Sequence, residues 1–218
     1  HDAYGTAGIH PHNADRAMQE DFARIERIVS ENEKIVAVGE CGLDYDRMFS
    51  TKENQIRCLE NHIVLAEKLG KPLFLHERSA AEDFVKRFKK HQDICPKSVV
   101  HCFTGDRRTL DQYLSMGFSI GITGWICDDR RAKELREAVH MIPLDRILLE
   151  TDQETACKTD LIRYHNTVSF RAPLSGLSLP LLHNFRTNYS PCIHSCQCPP
   201  IRTIIIFWPS ISSRPQQK

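Results

Sequence analysis

Six short apolar runs punctuate the first 152 residues, and each ends on a polar residue able to bind metal or phosphate. GIHPH ends at His10 and His12, IVAVGE at Glu40 and PLFLH at His76. VVHCF carries His101, GITGW carries Thr123, and ILLETD ends at Asp152. Short apolar runs bounded by polar clusters read as buried strands. Helix-length amphipathic stretches lie between most of them. Asn13 is placed to cap a helix over 14–32, with Phe22, Ile25, Ile28 and Val29 on one face. A strand over 35–39 follows. Ser50 and Glu53 then form a capping-box pattern. The helix it opens carries the stripe Ile56, Leu59, Ile63, Ala66, Leu69 and stops at Gly70.

The alternation continues with a strand over 73–75 and a helix over 81–89 whose inner face is Phe84, Val85 and Phe88. A strand over 98–103 precedes a helix over 106–116, with Leu110 and Leu114 inward and Gly117 as its stop. Strands over 118–122 and 146–150 flank a helix over 129–140. Repeated β-then-α units predict an α/β fold with a parallel sheet and right-handed crossovers. A strand that delivers a ligand at its C-terminal end, repeated in this way, is how a TIM-type (β/α) barrel builds an active site.

After Asp152 the pattern stops. The final 66 residues hold 7 of the 11 prolines and one glycine, Gly176, and no helical stripe lasts three turns. The expected division is therefore a partial barrel over 1–152 and a poorly ordered tail over 153–218. TIIIFW in that tail reads as an aggregation-prone strand. The start, HDAYGTAGIHPH, has neither an initiator Met nor a signal peptide and enters in mid-pattern, so the chain is expected to lack its natural N-terminus.

Composition adds little beyond this. A net charge of +1 makes no global electrostatic case for nucleic acid or membrane. It hides a split: 22 Lys+Arg against 26 Asp+Glu in 1–152, and 7 against 2 thereafter. No apolar run approaches the ~18 residues of a membrane helix. The nine cysteines are an odd number, and the five in the patterned part are scattered singly, which fits a reducing interior. A cytoplasmic or nuclear location and a monomer are expected. In the tail, CIHSCQC is too tightly spaced for a Cys-x-x-Cys zinc pair.

The strand ends carry the chemistry. Glu40, in GECGLDY, follows four apolar residues and a glycine, which aims its carboxylate at a barrel mouth. It suits a hard divalent cation, or equally a cap or a salt bridge. Asp44 reads as structural. His76 and His101 on successive strands, with Glu40 and Asp152, make a mixed N/O set suited to Zn²⁺, Mn²⁺ or a Mg²⁺ site with waters. Such a set activates water or stabilises a phosphoryl oxyanion. Arg78 is placed to hold a phosphate oxygen or to pair with an acid. In HPH, His10 is the candidate for contact with substrate or metal, and His12 the candidate helix cap. Asp152 could bind metal and take the proton of an attacking water.

Taken together and in order, GIHPH, GECGLDYDRMFST, PLFLHER, HCFTG, GITGWICDDRR and LLETD resemble the TatD family of metal-dependent deoxyribonucleases over 1–152. The resemblance implies a TIM barrel that binds divalent metals at the strand mouths and hydrolyses phosphodiester bonds in DNA. It implies Glu40, His76 and His101 as metal ligands, Asp152 and Glu40 as catalytic carboxylates, and His10 in the same pocket. Arg78, and secondarily Arg130, would meet backbone phosphates without reading sequence. Two departures accompany it. Family chains begin about one βα unit earlier, and they continue ETD with Ala-Pro, whereas here QETACKTD follows. The other function classes open at this point are an amidohydrolase-like enzyme of small esters or amides, and an inactive fragment.

Overall fold

A computed structural model describes residues 4–128, 130, 132–150 and 201–206. Asp152 and the rest of the 153–218 segment lie outside the described residues. Seven strands are described: β1 Tyr4–Ile9, β2 Ile35–Asp44, β3 Leu73–Arg78, β4 Val99–Val100, β5 Ser119–Ile122, β6 Ile147–Leu149 and β7 Ile201–Ile206. The described α-helices are α1 Gln19–Glu31, α2 Lys52–Leu69, α3 Ala81–Phe88, α4 Arg107–Met116 and α5 Lys133–Ala138. They fall where the amphipathic stretches predict them.

The sheet runs β6-β5-β4-β3-β2-β1-β7. From β1 to β6 each strand pairs in parallel with the next in sequence. A doubly wound sheet would reverse its strand order at a switch point. Consecutive order without a reversal is instead the wall of a β/α barrel, which matches the expected incomplete TIM-type barrel. β7 pairs antiparallel with β1, with Tyr4 opposite Ile206 and Ile9 opposite Ile201. The sequence marks a strand in this stretch, TIIIFW, within a tail otherwise expected to be poorly ordered. It meets the open edge of β1, whose other edge is held by β2.

Boundaries moved for local reasons. The helix expected over 14–32 is two pieces, a 3₁₀ turn over Pro11–Arg16 and then α1. Asn13 lies inside the turn and caps nothing. The side chain that accepts from a turn N–H is His10, at the N-cap position before Pro11. The cap of α2 is Thr51, whose hydroxyl faces Asn54 N at 3.4 Å, not Ser50. Ser50 is buried and donates to the carbonyl of His12 instead. Thr51 also bonds Asp15 through both N and Oγ1. Thr51→Ala should therefore cost about 1 kcal/mol of stability, read as a lowered midpoint in urea unfolding. Gly70 and Gly117 end α2 and α4 in the left-handed region, as their places in the pattern predict. The helix expected over 129–140 shrinks to α5 plus a 3₁₀ turn over Val139–Met141.

Between α3, α4 and the sheet sits an aromatic cluster of Phe84, Phe88, Tyr113 and Phe118, with centroids 4.8 to 6.1 Å apart. All four are fully buried. The Tyr113 hydroxyl donates to Glu77 on β3 at 2.7 Å, giving the one polar atom of that cluster a partner. This packing fixes β3 and β5, whose C-terminal ends enter the site. Among the described residues no helix is long and apolar enough to cross a membrane.

Candidate metal centre

β2 runs past Glu40 to Asp44, well beyond the 35–39 strand expected from the apolar run. Gly39 and Gly42 make that extension fit, since a Cβ at either would meet the β3 backbone. Gly42 has φ +152°, and a Cβ there would run into the backbone oxygen of His76. With no side chain at Gly42, β2 lies close against β3, where Gly42 pairs with His76 and Asp44 with Arg78.

Three imidazoles converge on one oxygen of Glu40. His101 Nε2 is 2.7 Å from Glu40 Oε1, His76 Nδ1 is 3.1 Å away and His10 Nε2 3.4 Å. They arrive from the ends of β4, β3 and β1, and the carboxylate itself is 6 % exposed. The ligating atoms of His10, Glu40 and His76 all lie within 4.8 Å of one another. A second carboxylate completes the cluster. Asp44 Oδ2 is 3.2 Å from His76 Nε2 and 2.8 Å from His12 Nε2, and Asp44 is fully buried. Its other oxygen accepts from the N–H groups of Asp46 and Arg47. A third, Glu150, accepts from Cys102 N at 2.9 Å and stands 3.7 Å from His101 Nδ1.

The charges settle accordingly. Burial opposes ionisation of Glu40, but hydrogen bonds from His10, His101 and His76 outweigh it and hold the carboxyl well below its ordinary range. At Asp44, burial is outweighed by His76, the Arg47 N–H and His12, and its carboxyl is pulled down as well. The imidazoles move the other way. Burial disfavours a charged His101, but Glu150 and Glu40 push it up to about 10. His76, between Asp44 and Glu40, is also raised against its burial. The buried carboxylates thus demand positive charge, and protons on two imidazoles supply it. A divalent cation satisfies the same demand with these O and N donors, so the residues fit one.

His10 behaves differently. Its Nδ1 accepts from His12 N at 3.2 Å, so the neutral ring carries its proton on Nε2, facing Glu40. Burial keeps that ring neutral by lowering its pKa. A ring so held donates at Nε2 and has no lone pair there for a cation.

Of the residues singled out from the sequence, the structure gathers His10, Glu40, His76 and His101. Arg78 lies two residues beyond His76 on the same face of β3, with its guanidinium over the Trp125 ring at 5.9 Å. Thr123 is buried and accepts from Trp125 N. Arg130 sits on the surface beside Asp128. His12 is not the helix cap; it is tied to Asp44. Asp44, read from the sequence as structural, touches two of the histidines. The signal for it was present: Glu40, Gly42 and Asp44 alternate along one strand, which puts both carboxylates on one face.

A parallel β/α sheet gathering imidazole and carboxylate at its strand mouths is the plan shared by metallohydrolase barrels. The family model for TatD related DNase matches residues 1–159, and the chain belongs to that family. It is 48% identical over 149 residues to a 3'-5' ssDNA/RNA exonuclease TatD of Erwinia amylovora, covering 68% of this chain and 57% of that protein. The chain thus spans somewhat over half the length of the curated relatives it matches. A TatD family hydrolase of Entamoeba histolytica superposes with a TM-score of 0.59 at 34% identity, over 66% of this chain and 48% of that one. A TatD homologue of Escherichia coli K12 superposes with a TM-score of 0.59 at 30% identity, over 66% and 55%.

Proposed function

We propose that this chain carries the catalytic centre of a divalent-metal-dependent hydrolase that cleaves phosphodiester bonds of DNA, as an exonuclease. The observation that carries the reading is the convergence of three strand-end imidazoles on one buried carboxylate oxygen, Glu40 Oε1. Family membership and the names of the relatives support it.

Glu40, His76 and His101 would hold the cation, with Asp152 as a further ligand; Mg²⁺ is proposed first, Zn²⁺ or Mn²⁺ next. When bound, the cation supplies Lewis-acid stabilisation of charge on a phosphoryl oxygen. The chain's own groups do the rest. Asp44 grips His76 Nε2, which orients Nδ1 toward Glu40. Glu150 stands in the same relation to His101. His10 lines the substrate pocket, where its Nε2–H faces Glu40. Arg78 meets a neighbouring phosphate, and its aromatic support on Trp125 limits the rotamers it must give up. Asp152 accepts the proton of the attacking water. DNA is bound largely without regard to sequence, because these contacts are to phosphates.

We also propose that the chain acts as a monomer in the cytoplasm, with 1–152 as the catalytic part and 153–218 as a tail that adds β7 to the edge of its sheet. Cys41, Cys58, Cys95 and Cys127 are free thiols, in keeping with a reducing compartment.

Labelled single-stranded DNA and a small carboxylic ester, each with and without Mg²⁺, separate the readings. The nuclease reading expects DNA shortened only with metal, and cleavage stopped by chelator. Intact DNA beside a hydrolysed ester would sink it in favour of an amidohydrolase-like enzyme. Asp44→Asn should lower DNA turnover about 10- to 100-fold, because His76 loses its orienting acceptor. Unchanged turnover would reduce Asp44 to a loop anchor.

A further inference from the structure

The 45–50 loop, between β2 and α2, is held at both ends. Asp44 Oδ1 accepts from the N–H groups of Asp46 and Arg47. Ser50, 2 % exposed, donates to the carbonyl of His12 and accepts from Asp15 N. Gln55 donates to the carbonyls of both Asp44 and Ser50. The tip between these anchors presents apolar side chains to solvent: Met48 is 43 % exposed and Phe49 63 %. Met48 sits at φ +49°, a conformation uncommon for its type. Every other described phenylalanine is buried. Phe49 is therefore an aromatic ring held out on a fixed loop.

Its position is as specific as its exposure. The ring lies 4.8 Å from that of His12, edge to face at 82°. His12 bonds Asp44, and Asp44 bonds His76, so Phe49 stands at the rim of the Glu40 centre. The exposed Arg47 flanks the tip, and Lys52 lies over the Tyr45 ring at 4.3 Å. A flat apolar face between cations, beside a centre for phosphate chemistry, matches a nucleotide, which joins a flat base to an anion.

We propose that Phe49 is a nucleobase-stacking residue, the platform on which a base of a single strand rests while its phosphate lies at Glu40. The proposal deepens the nuclease reading and rests on it. Bases in a duplex are already stacked on their neighbours, so the platform favours single-stranded substrate. Every base has a π-face, so it adds affinity without sequence preference.

The test compares wild type, Phe49→Ala, Phe49→Trp and Leu144→Ala. Leu144 is equally apolar and exposed, but precedes β6 at the opposite end of the sheet. Binding of fluorescein-labelled oligothymidine is read by anisotropy without added metal, beside the same strand built from abasic residues. Cleavage of both strands is followed with Mg²⁺. Phe49→Ala should weaken binding of the base-bearing strand roughly 5- to 100-fold, while Phe49→Trp and Leu144→Ala hold it. The abasic strand should bind wild type and Phe49→Ala alike. Equal binding of the base-bearing strand by Phe49→Ala and wild type overturns the proposal, as does an equal loss on the abasic strand. A lowered melting temperature with unchanged binding also overturns it, by assigning the ring to a contact within the chain. A base-dependent loss at Phe49 without cleavage by wild type would leave the platform standing and remove the nuclease reading. Metal-dependent cleavage indifferent to Phe49 would do the reverse, and a wild type that neither binds nor cleaves removes both.

Discussion

Glu40→Gln is expected to lower turnover of labelled DNA by about 10³-fold or more while leaving the chain folded. The amide keeps the shape of the carboxylate and loses its charge, which is what a cation binds. Charge stabilisation worth several kcal/mol disappears with it, and each ~1.4 kcal/mol is a factor of ten in rate. Folding suffers less, because His76 and His101 can shed their protons once the carboxylate is neutral, and no stranded charge remains. The stability loss without metal has a defined pH window. His76 and His101 have raised pKa values, so their pairing with Glu40 stabilises fully below their ordinary 6.5 and fades as pH rises through their folded values, about 10 for His101. Glu40 has a lowered pKa, so its contribution is present above its ordinary 4.5 and fades on acidification. The difference between wild type and Glu40→Gln in urea unfolding should peak between the ordinary values of 4.5 and 6.5. Wild-type turnover by the variant would remove Glu40 from the centre.

The second large effect is acid sensitivity set by His62. This residue of α2 is fully buried, accepts from Ile9 N at 3.0 Å and donates through Nδ1 to the carbonyl of Cys58. It therefore ties α2 to β1 at the residue before His10. Burial lowers its pKa from 6.5 to about 4. Between those values the unfolded chain holds a proton that the folded chain refuses, so stability falls as pH drops from 6.5 and levels off near 4. The full loss is about 3 kcal/mol at ~1.4 kcal/mol per unit. His10 is lowered too and adds a slope of the same sign. His62→Gln keeps an acceptor for Ile9 N and removes the titration. Urea unfolding midpoints across pH 4–6.5 should run flatter for the variant; parallel slopes would refute the assignment.

Much of this molecule was legible before any coordinates. The helices over 52–69 and 107–116 follow from stripes that keep period through several turns and stop at Gly70 and Gly117, where the chain turns left-handed. The strand ends were legible because a buried parallel strand reads as a short apolar run, and the first polar residue after it stands at a mouth. Caps were less legible. Ser50 and Thr51 are both good caps, and the choice fell to Thr51 because Ser50 was taken by the carbonyl of His12, 38 residues away in sequence. For β7 the sequence marked a strand, TIIIFW, but not its partner, since pairing along an edge depends on which edge is present.

What the sequence determined by itself was the kind of molecule: alternating β and α units in consecutive order, with His10, Glu40, His76 and His101 at the ends of strands. These are consequences of local periodicity. Only the tertiary structure decided which of them meet and how. It put three imidazoles on one oxygen of Glu40, drew Asp44 in behind His76, turned the Nε2 proton of His10 toward Glu40, and held Phe49 out beside His12. Those outcomes depend on the close approach of β2 to β3 at Gly42 and on hydrogen bonds between residues far apart in the chain, and such distances are fixed by packing.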